Sequence, residues 1–191
     1  MDIETVLDEE LGVFSYKGTP LIRVSEVLVK GGLIDPRFFT REGTVRGTAV
    51  HDAVFLHLFN DLHFESLHPI VKPFIDCYLM FEEITKFRPL LNLCEKRQIH
   101  PFYFYTGRPD LVGFLNGRPA IIDIKTGCAK AARYQTAAYS EFPAFKELFK
   151  DKFIDRYDLQ LNPVGKLPKL SPHKDPNDWL IFLSALVRAR E

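Results

Sequence analysis

Cysteine is scarce: Cys77, Cys94 and Cys128 are the whole complement of a 191-residue chain. Three scattered thiols build neither a disulfide framework nor a four-cysteine zinc or iron–sulfur site, so a reducing, intracellular and cytoplasmic setting is expected, with no iron–sulfur cluster. Neither sign of charge prevails, with 25 basic and 25 acidic side chains, and net charge alone makes no case for nucleic acid. No apolar run approaches the roughly 18 residues of a membrane span, and Met1-Asp2-Ile3-Glu4 lacks the basic and apolar regions of a secretory signal, so neither a membrane partner nor export is expected. Repeats, low-complexity tracts and linkers rich in Gly, Ser or Pro are missing too, which predicts one domain over residues 1–191. A chain of this length buries on the order of 70% of its unfolded surface and needs no staple to hold a core.

What is present is patterned. Charge is uneven along the chain: residues 1–100 carry 11 basic and 15 acidic side chains, residues 101–191 carry 14 and 10. Val13–Tyr16 and Leu21–Val24 flank Lys17-Gly18-Thr19-Pro20 as a short hairpin, and Ser25 is expected to cap a helix ending at Gly31-Gly32. Apolar residues at helical spacing predict a helix over about 44–60, with the polar His51 inside it. Ser66 and Pro69 are expected to open a second helix running to about Phe87. The period then changes to two. Asn92–Gln98, Pro101–Tyr105, Asp110–Leu115 and Arg118–Ile124 read as strands, the last two joined through the hairpin dipeptide Asn116-Gly117. Helices over about 131–142 and on to Lys150, a strand over Phe153–Leu161, a turn at Asn162-Pro163-Val164-Gly165 and a last helix from Asp175-Pro176 to about Arg190 follow. The fold class is α/β (α+β), a central mixed sheet flanked by helices.

The chemistry lies between Gly107 and Gly127. A turn at Asn116-Gly117 sets Asp110 and Asp123 equally far from it on adjacent antiparallel strands, sharing a face at roughly 5 Å between Cβ atoms. Two carboxylates so close repel, and a hard divalent cation between them cancels that repulsion. Lys125, two residues on, shares the face. An ammonium there can orient a water and offset charge developing on a phosphoryl group. Ile124 points the other way, into the core, leaving its carbonyl as a further ligand. An isolated Asp-x-Lys is usually an ordinary same-face ion pair. Here it stands with a Gly-Arg-Pro-Asp segment before it, a basic helix start (Lys130, Arg133, then Gln135 and Tyr139) after it and His51 upstream.

Taken together these segments resemble the PD-(D/E)xK nuclease superfamily, and within it the RecB-like exonuclease branch that includes phage-type and mitochondrial-genome-maintenance-type exonucleases. Val24-Ser25-Glu26-Val27-Leu28 is similar to the branch's early helix start. Arg46-Gly47-Thr48-Ala49-Val50-His51 resembles its R-G-x-x-x-H helix, Pro109-Asp110 and Asp123-Ile124-Lys125-Thr126-Gly127 its core motif, and Gln135 to Tyr139 its trailing Q-x-x-x-Y. The tail from Arg156 through Phe182 resembles the closing strand and helix. The resemblance implies a restriction-endonuclease-like core in which His51, Asp110, Asp123 and the Ile124 carbonyl hold one or two Mg²⁺ or Mn²⁺ ions. Lys125 would assist the attacking water, Gln135 and Tyr139 would orient the site or touch the DNA backbone, and Glu95 resembles an accessory acid on the preceding strand. Some relatives add a four-cysteine cluster; three cysteines put this chain in the cluster-free subtype.

The implied activity is a metal-dependent DNA exonuclease acting on linear ends or single strands in recombination, repair or phage genome processing, with a single-strand annealing or recombination protein as a possible partner. DNA phosphates would be held by Arg46, Arg108, Lys130 and Arg133. Two alternatives are a catalytically silent DNA-binding or recombination-partner module of the same fold, and an endonuclease of the same superfamily. Tyr139 also suits the helix–sheet core, and Phe102-Tyr103-Phe104-Tyr105 reads mainly as a core strand. His57, His63, His68, His100 and His173 read as surface or packing residues.

Overall fold

The computed structural model describes residues 5–8, 13–150, 152–163 and 166–191. The fold is mixed α/β: two mixed five-stranded sheets flanked by helices, where the sequence predicts one central sheet. The first sheet, in the order β1-β2-β3-β6-β5, comprises β1 (Thr5–Asp8), β2 (Val13–Tyr16), β3 (Thr19–Arg23), β5 (Gln98–His100) and β6 (Tyr105–Gly107). The second, in the order β10-β9-β8-β7-β4, comprises β4 (Arg88–Pro89), β7 (Leu111–Leu115), β8 (Arg118–Lys125), β9 (Asp155–Gln160) and β10 (Lys169–Pro172). The helices are α1 (Val24–Lys30), α2 (Arg41–Leu58), α3 (Lys72–Thr85), α4 (Ala132–Ser140), α5 (Pro143–Leu148) and α6 (Asn177–Arg188). Among the described residues no helix is long and apolar enough to cross a membrane.

Two local devices set the register that matters. At the β7–β8 turn Asn116 and Gly117 both take positive φ (51° and 77°), the backbone a two-residue hairpin of the right twist requires, and Leu115 faces Arg118 across it. From there the antiparallel ladder runs back through Leu111↔Ile122, one step short of Asp110 and Asp123. On the other side β8 pairs β9 in parallel, with Asp123↔Asp158 and Lys125↔Gln160.

Alternation along β7, β8 and β9 feeds two cores. Leu111, Leu115, Ile122, Ile124, Leu159 and Leu161 pack against Val50, Ala53 and Val54 of α2 and Phe74, Ile75, Tyr78 and Phe81 of α3. Val112 and Ile121 face the other way, onto Val24, Val27 and Leu28 of α1, Ala138 and Tyr139 of α4, Phe145 of α5 and Phe182 and Ala185 of α6. Asp110, Asp123, Lys125 and Asp158 share the parity of this second face.

Several boundaries differ from expectation. The chain enters α1 through Arg23, whose N–H donates to Glu26 Oε2 (3.1 Å), so Ser25 lies within the first turn and does not cap it. α3 begins at Lys72, after a 3₁₀ turn at Phe64–Ser66, with Pro73 in its first turn where a missing N–H is harmless. Residues 91–95 form a turn, and a second turn at 101–104 carries Phe104 at φ 46°, so neither expected strand forms beyond Gln98–His100 and Tyr105. β10 adds a strand that the sequence pattern does not predict, and the turn expected at 162–165 lies partly outside the described residues.

Candidate metal and phosphoryl-transfer site

The end of β8 gathers the predicted residues. Ile124 buries its side chain in the α2–α3 core, which leaves its backbone N–H and carbonyl at the strand end. The N–H donates to Asp110 Oδ2 (2.6 Å), pinning that carboxylate, while the carbonyl oxygen lies 3.1 Å from His51 Nε2. The other ring nitrogen of His51, Nδ1, faces Asp110 Oδ1 at 3.3 Å and Glu95 Oε1 at 3.8 Å. His51 comes from α2, on the opposite face of the sheet to the carboxylates, and reaches them around the strand end. One ligand atom each from His51, Glu95 and Asp110 lies within 4.8 Å of the others.

Beside this cluster runs a polar chain. Lys125 Nζ lies 2.5 Å from Asp123 Oδ2, an ion pair without hydrogen-bond alignment, and donates to Gln135 Oε1 (3.1 Å). Gln135 Nε2 in turn donates to Tyr139 Oη (3.0 Å). Gln135 and Tyr139 are one helical turn apart on α4, which is why both can serve the same lysine. Asp123 is fully buried, with Oδ2 against the Lys125 ammonium and Oδ1 without a hydrogen-bond partner.

The charges answer one another. Burial works against a charged His51, but the carboxylates of Asp110 and Glu95 outweigh it and raise the imidazole to about 10. Both ring nitrogens face acceptors, an arrangement only the imidazolium satisfies. Burial would raise Asp110, yet His51, Lys125 and the Ile124 N–H hold it below the ordinary carboxylate value. Asp123 goes the other way: burial, with Asp110 adding to it against the pull of Lys125, pushes it up to about 6. Lys125 stays charged, since burial is outweighed by Asp123 and Asp110.

The donor set fits a hard divalent cation. Carboxylate, carbonyl and imidazole ligands converge, and a cation there would supply the charge that His51 otherwise provides as a proton. Asp123 is directed to Lys125 rather than into the His51–Glu95–Asp110 group.

Other expectations fare differently. Glu95 joins the cluster, from the turn at 91–95 at φ 54° and not from a strand. Arg46 lies beside the site, with Nη2 donating to Thr126 O (3.4 Å) and its guanidinium over the Phe74 ring. Arg108 is exposed and bound to Glu95. Lys130 is exposed just before α4. Arg133 is not brought to the carboxylates: its guanidinium pairs with Asp178 (2.5 Å) and Asp175 (2.8 Å), because its position on α4 faces α6.

Sequence reasoning missed three features. Asp158, opposite Asp123, pairs with His173 Nε2 (3.0 Å), so His173 is no bystander. Arg23 and Arg97 join Arg108, Glu95, Asp110, Gln135 and Tyr139 around a cleft of about 220 Å³. Gly107 passes so close to the Tyr139 ring that a Cβ there would stand 2.5 Å from Cε1. An Asp on the strand after Asp-x-Lys is a legible signal for the first; isolated arginines carry none.

No protein-family model matches the chain. No curated protein matches it either. A solved structure described as "Crystal structure of SSO0001" is similar over 95% of this chain and 80% of its own, at 13% identity and a TM-score of 0.44.

Proposed function

We propose that the chain is a Mg²⁺- or Mn²⁺-dependent deoxyribonuclease with a PD-(D/E)xK-type core, hydrolysing phosphodiester bonds at DNA ends or on single strands inside the cell. The observation that carries this reading is the meeting of His51, Glu95, Asp110 and the Ile124 carbonyl at one strand end, beside a lysine clamped by Asp123 and Gln135. His51, Glu95, Asp110 and the Ile124 carbonyl would hold the ion, while Asp123, the further ligand that the family resemblance implies, is turned to Lys125. A divalent ion held there would supply Lewis acidity toward phosphate oxygens and a hydrolytic nucleophile at neutral pH.

The chain's own groups do the rest. Asp123 and Gln135 fix the Lys125 ammonium at the mouth of the polar chain, where it can orient a water and offset charge developing on the phosphate. Tyr139, through Gln135, sets the amide so that its oxygen faces the lysine. Arg108 lines the cleft and suits phosphate contacts, and Arg46, held on the Thr126 carbonyl, is the second candidate for that role.

The test uses end-labelled linear single- and double-stranded DNA and a closed circle, with Mg²⁺, Mn²⁺ or EDTA, for the parent, Asp123→Asn and Lys125→Ala. Metal-dependent loss of the linear substrates with the circle intact is the expected result. Lys125→Ala should bind DNA and metal while cutting about 10²-fold more slowly or worse, the usual loss on removing a proton-transfer or charge-stabilising group. Equal cutting by Lys125→Ala removes its catalytic role. DNA binding with no cleavage under either metal selects a silent binding module, and cutting of the circle an endonuclease.

A further inference from the structure

Glu95 is claimed from two sides. Its backbone is held in the left-handed region (φ 54°), with its N–H donating to Pro109 O (2.8 Å), a conformation a glutamate adopts only where its surroundings impose it. From there Oε1 turns toward His51 Nδ1 (3.8 Å), while Oε2 is taken by Arg108 Nη2 (3.0 Å). Arg108 also donates from Nε to the Glu95 carbonyl (3.1 Å), so one guanidinium grips both the backbone and the side chain of a single residue. Each oxygen of the carboxylate thus faces a different cation.

Arg108 belongs at the same time to a crowded set of like charges. Arg23 and Arg97 line the cleft with it, and Arg97 is fixed there by stacking on the Phe14 ring (3.7 Å) and donating to Thr106 Oγ1 (3.3 Å). Burial, then the charges of Arg108 and Arg23, pull Arg97 below its ordinary proton affinity. An oxyanion in the cleft relieves that repulsion, and the planar guanidinium fork of Arg108 matches phosphate as well as it matches carboxylate. It cannot serve both fully at once.

Resting on the metal-site reading above, we propose that Arg108, by holding Oε2, competes with a metal for the charge of the Glu95 carboxylate whose Oε1 already faces the His51–Asp110 cluster, and that a phosphate entering the arginine-lined cleft takes Arg108 and leaves the whole carboxylate to the metal. Phosphate and metal then bind cooperatively through one shared carboxylate, and by linkage each raises the affinity of the other by the same factor. The coupling favours a loaded site only when a phosphate is already seated.

The test needs no turnover. Mn²⁺ is titrated calorimetrically into the full chain as parent, Arg108→Gln, Glu95→Gln and the double variant, with circular dichroism confirming the fold of each; Arg108 is exposed and its loss leaves the cores untouched. Arg108→Gln is expected to tighten Mn²⁺ about 5-fold or more, the lower end of site-to-site coupling. That gain should collapse in the Glu95→Gln background. Sodium sulfate, as an oxyanion probe, should tighten Mn²⁺ in the parent and not in Arg108→Gln, and Arg97→Gln, which removes a cleft charge without touching Glu95, should not reproduce the gain. The proposal is overturned by an unchanged Mn²⁺ affinity in Arg108→Gln, or by an equal gain with and without Glu95, which would mean simple loss of a repelling charge. Identical titrations of the parent and Asp110→Asn would instead bring down the metal site itself, and the proposal with it.

Discussion

Gly107 has no side chain to contribute, yet it decides where Tyr139 sits. A Cβ at this position would meet Tyr139 Cε1 at 2.5 Å and Val24 Cγ2 at 3.2 Å, so Gly107→Ala must displace the ring. Displacing it breaks the geometry by which Tyr139 fixes Gln135, and Gln135 fixes Lys125. Gly107→Ala is therefore expected to cost about 1–3 kcal/mol of stability, the usual range for overpacking. It should also lower the cleavage rate more than DNA affinity, a split that single-turnover kinetics and filter binding would separate. A stable variant cutting at the parent rate would show that the Tyr139 position is immaterial. Much of the site is legible residue by residue, because strand parity alone puts Asp110, Asp123 and Lys125 on one face. The involvement of Gly107 is not legible, since a close approach between β6 and α4 leaves no periodic trace in either segment.

At the scale of elements, α4 and α6 are bolted to β9 by charge. Asp178 is fully buried between Arg133 Nε (2.5 Å) and Arg156 Nη2 (3.2 Å), and Arg156 also donates to the Arg133 and Asp175 carbonyls, both at 3.0 Å. Removing the central acid strands two guanidiniums, one of them on a residue only 8% exposed. Asp178→Ala should cost about 3–5 kcal/mol in denaturant unfolding, as breaking one partner of a buried ion pair does. Arg133→Ala should likewise weaken folding and, on the proposed function, leave the salt dependence of DNA binding unchanged; a shallower salt slope would place Arg133 at the proposed DNA interface. The basic start of α4 read as a phosphate-binding helix because sequence shows charge without direction. The answering acid lies more than forty residues away, and only the docking of α6 brings it near. The hairpin β7–β8 and helix α2 were legible for the opposite reason, since their signals, Asn116-Gly117 and Val50 to Val54, are local. β5 and β6 are short where the sequence predicts longer strands because a positive-φ residue turns the chain before each of them, Glu95 ahead of β5 and Phe104 ahead of β6.

For the molecule as a whole, an aromatic cluster joins the two sheets' surroundings and adds a pH dependence. His100 stacks on Tyr105 and Trp179, its Nδ1 accepts the Tyr103 N–H (3.2 Å), and Phe142 and Phe182 close the group around Tyr105. Burial lowers the proton affinity of His100, against a smaller pull from Glu141. The folded protein thus keeps this ring neutral where the unfolded chain protonates it at its ordinary 6.5. Stability from this group is complete above that value and is lost as pH falls below it toward the lowered folded-state value. Denaturant midpoints measured on either side of pH 6.5 should fall further for the parent than for His100→Gln; equal falls would show that His100 is solvated like a free imidazole.

His51 is carried by the layer of α2 and α3, while Gln135 and Tyr139 are carried by the layer of α1, α4 and α6 on the other face. Neither layer holds a whole set of groups, and the strand end at Ile124 is where the two meet. The assembled centre is in effect a lock needing two keys. A chain that has lost α2 from the sheet keeps its lysine and loses its histidine, one that has lost α4 keeps the histidine and loses the clamp on the lysine, and a growing chain completes the clamp only once Tyr139 is in place.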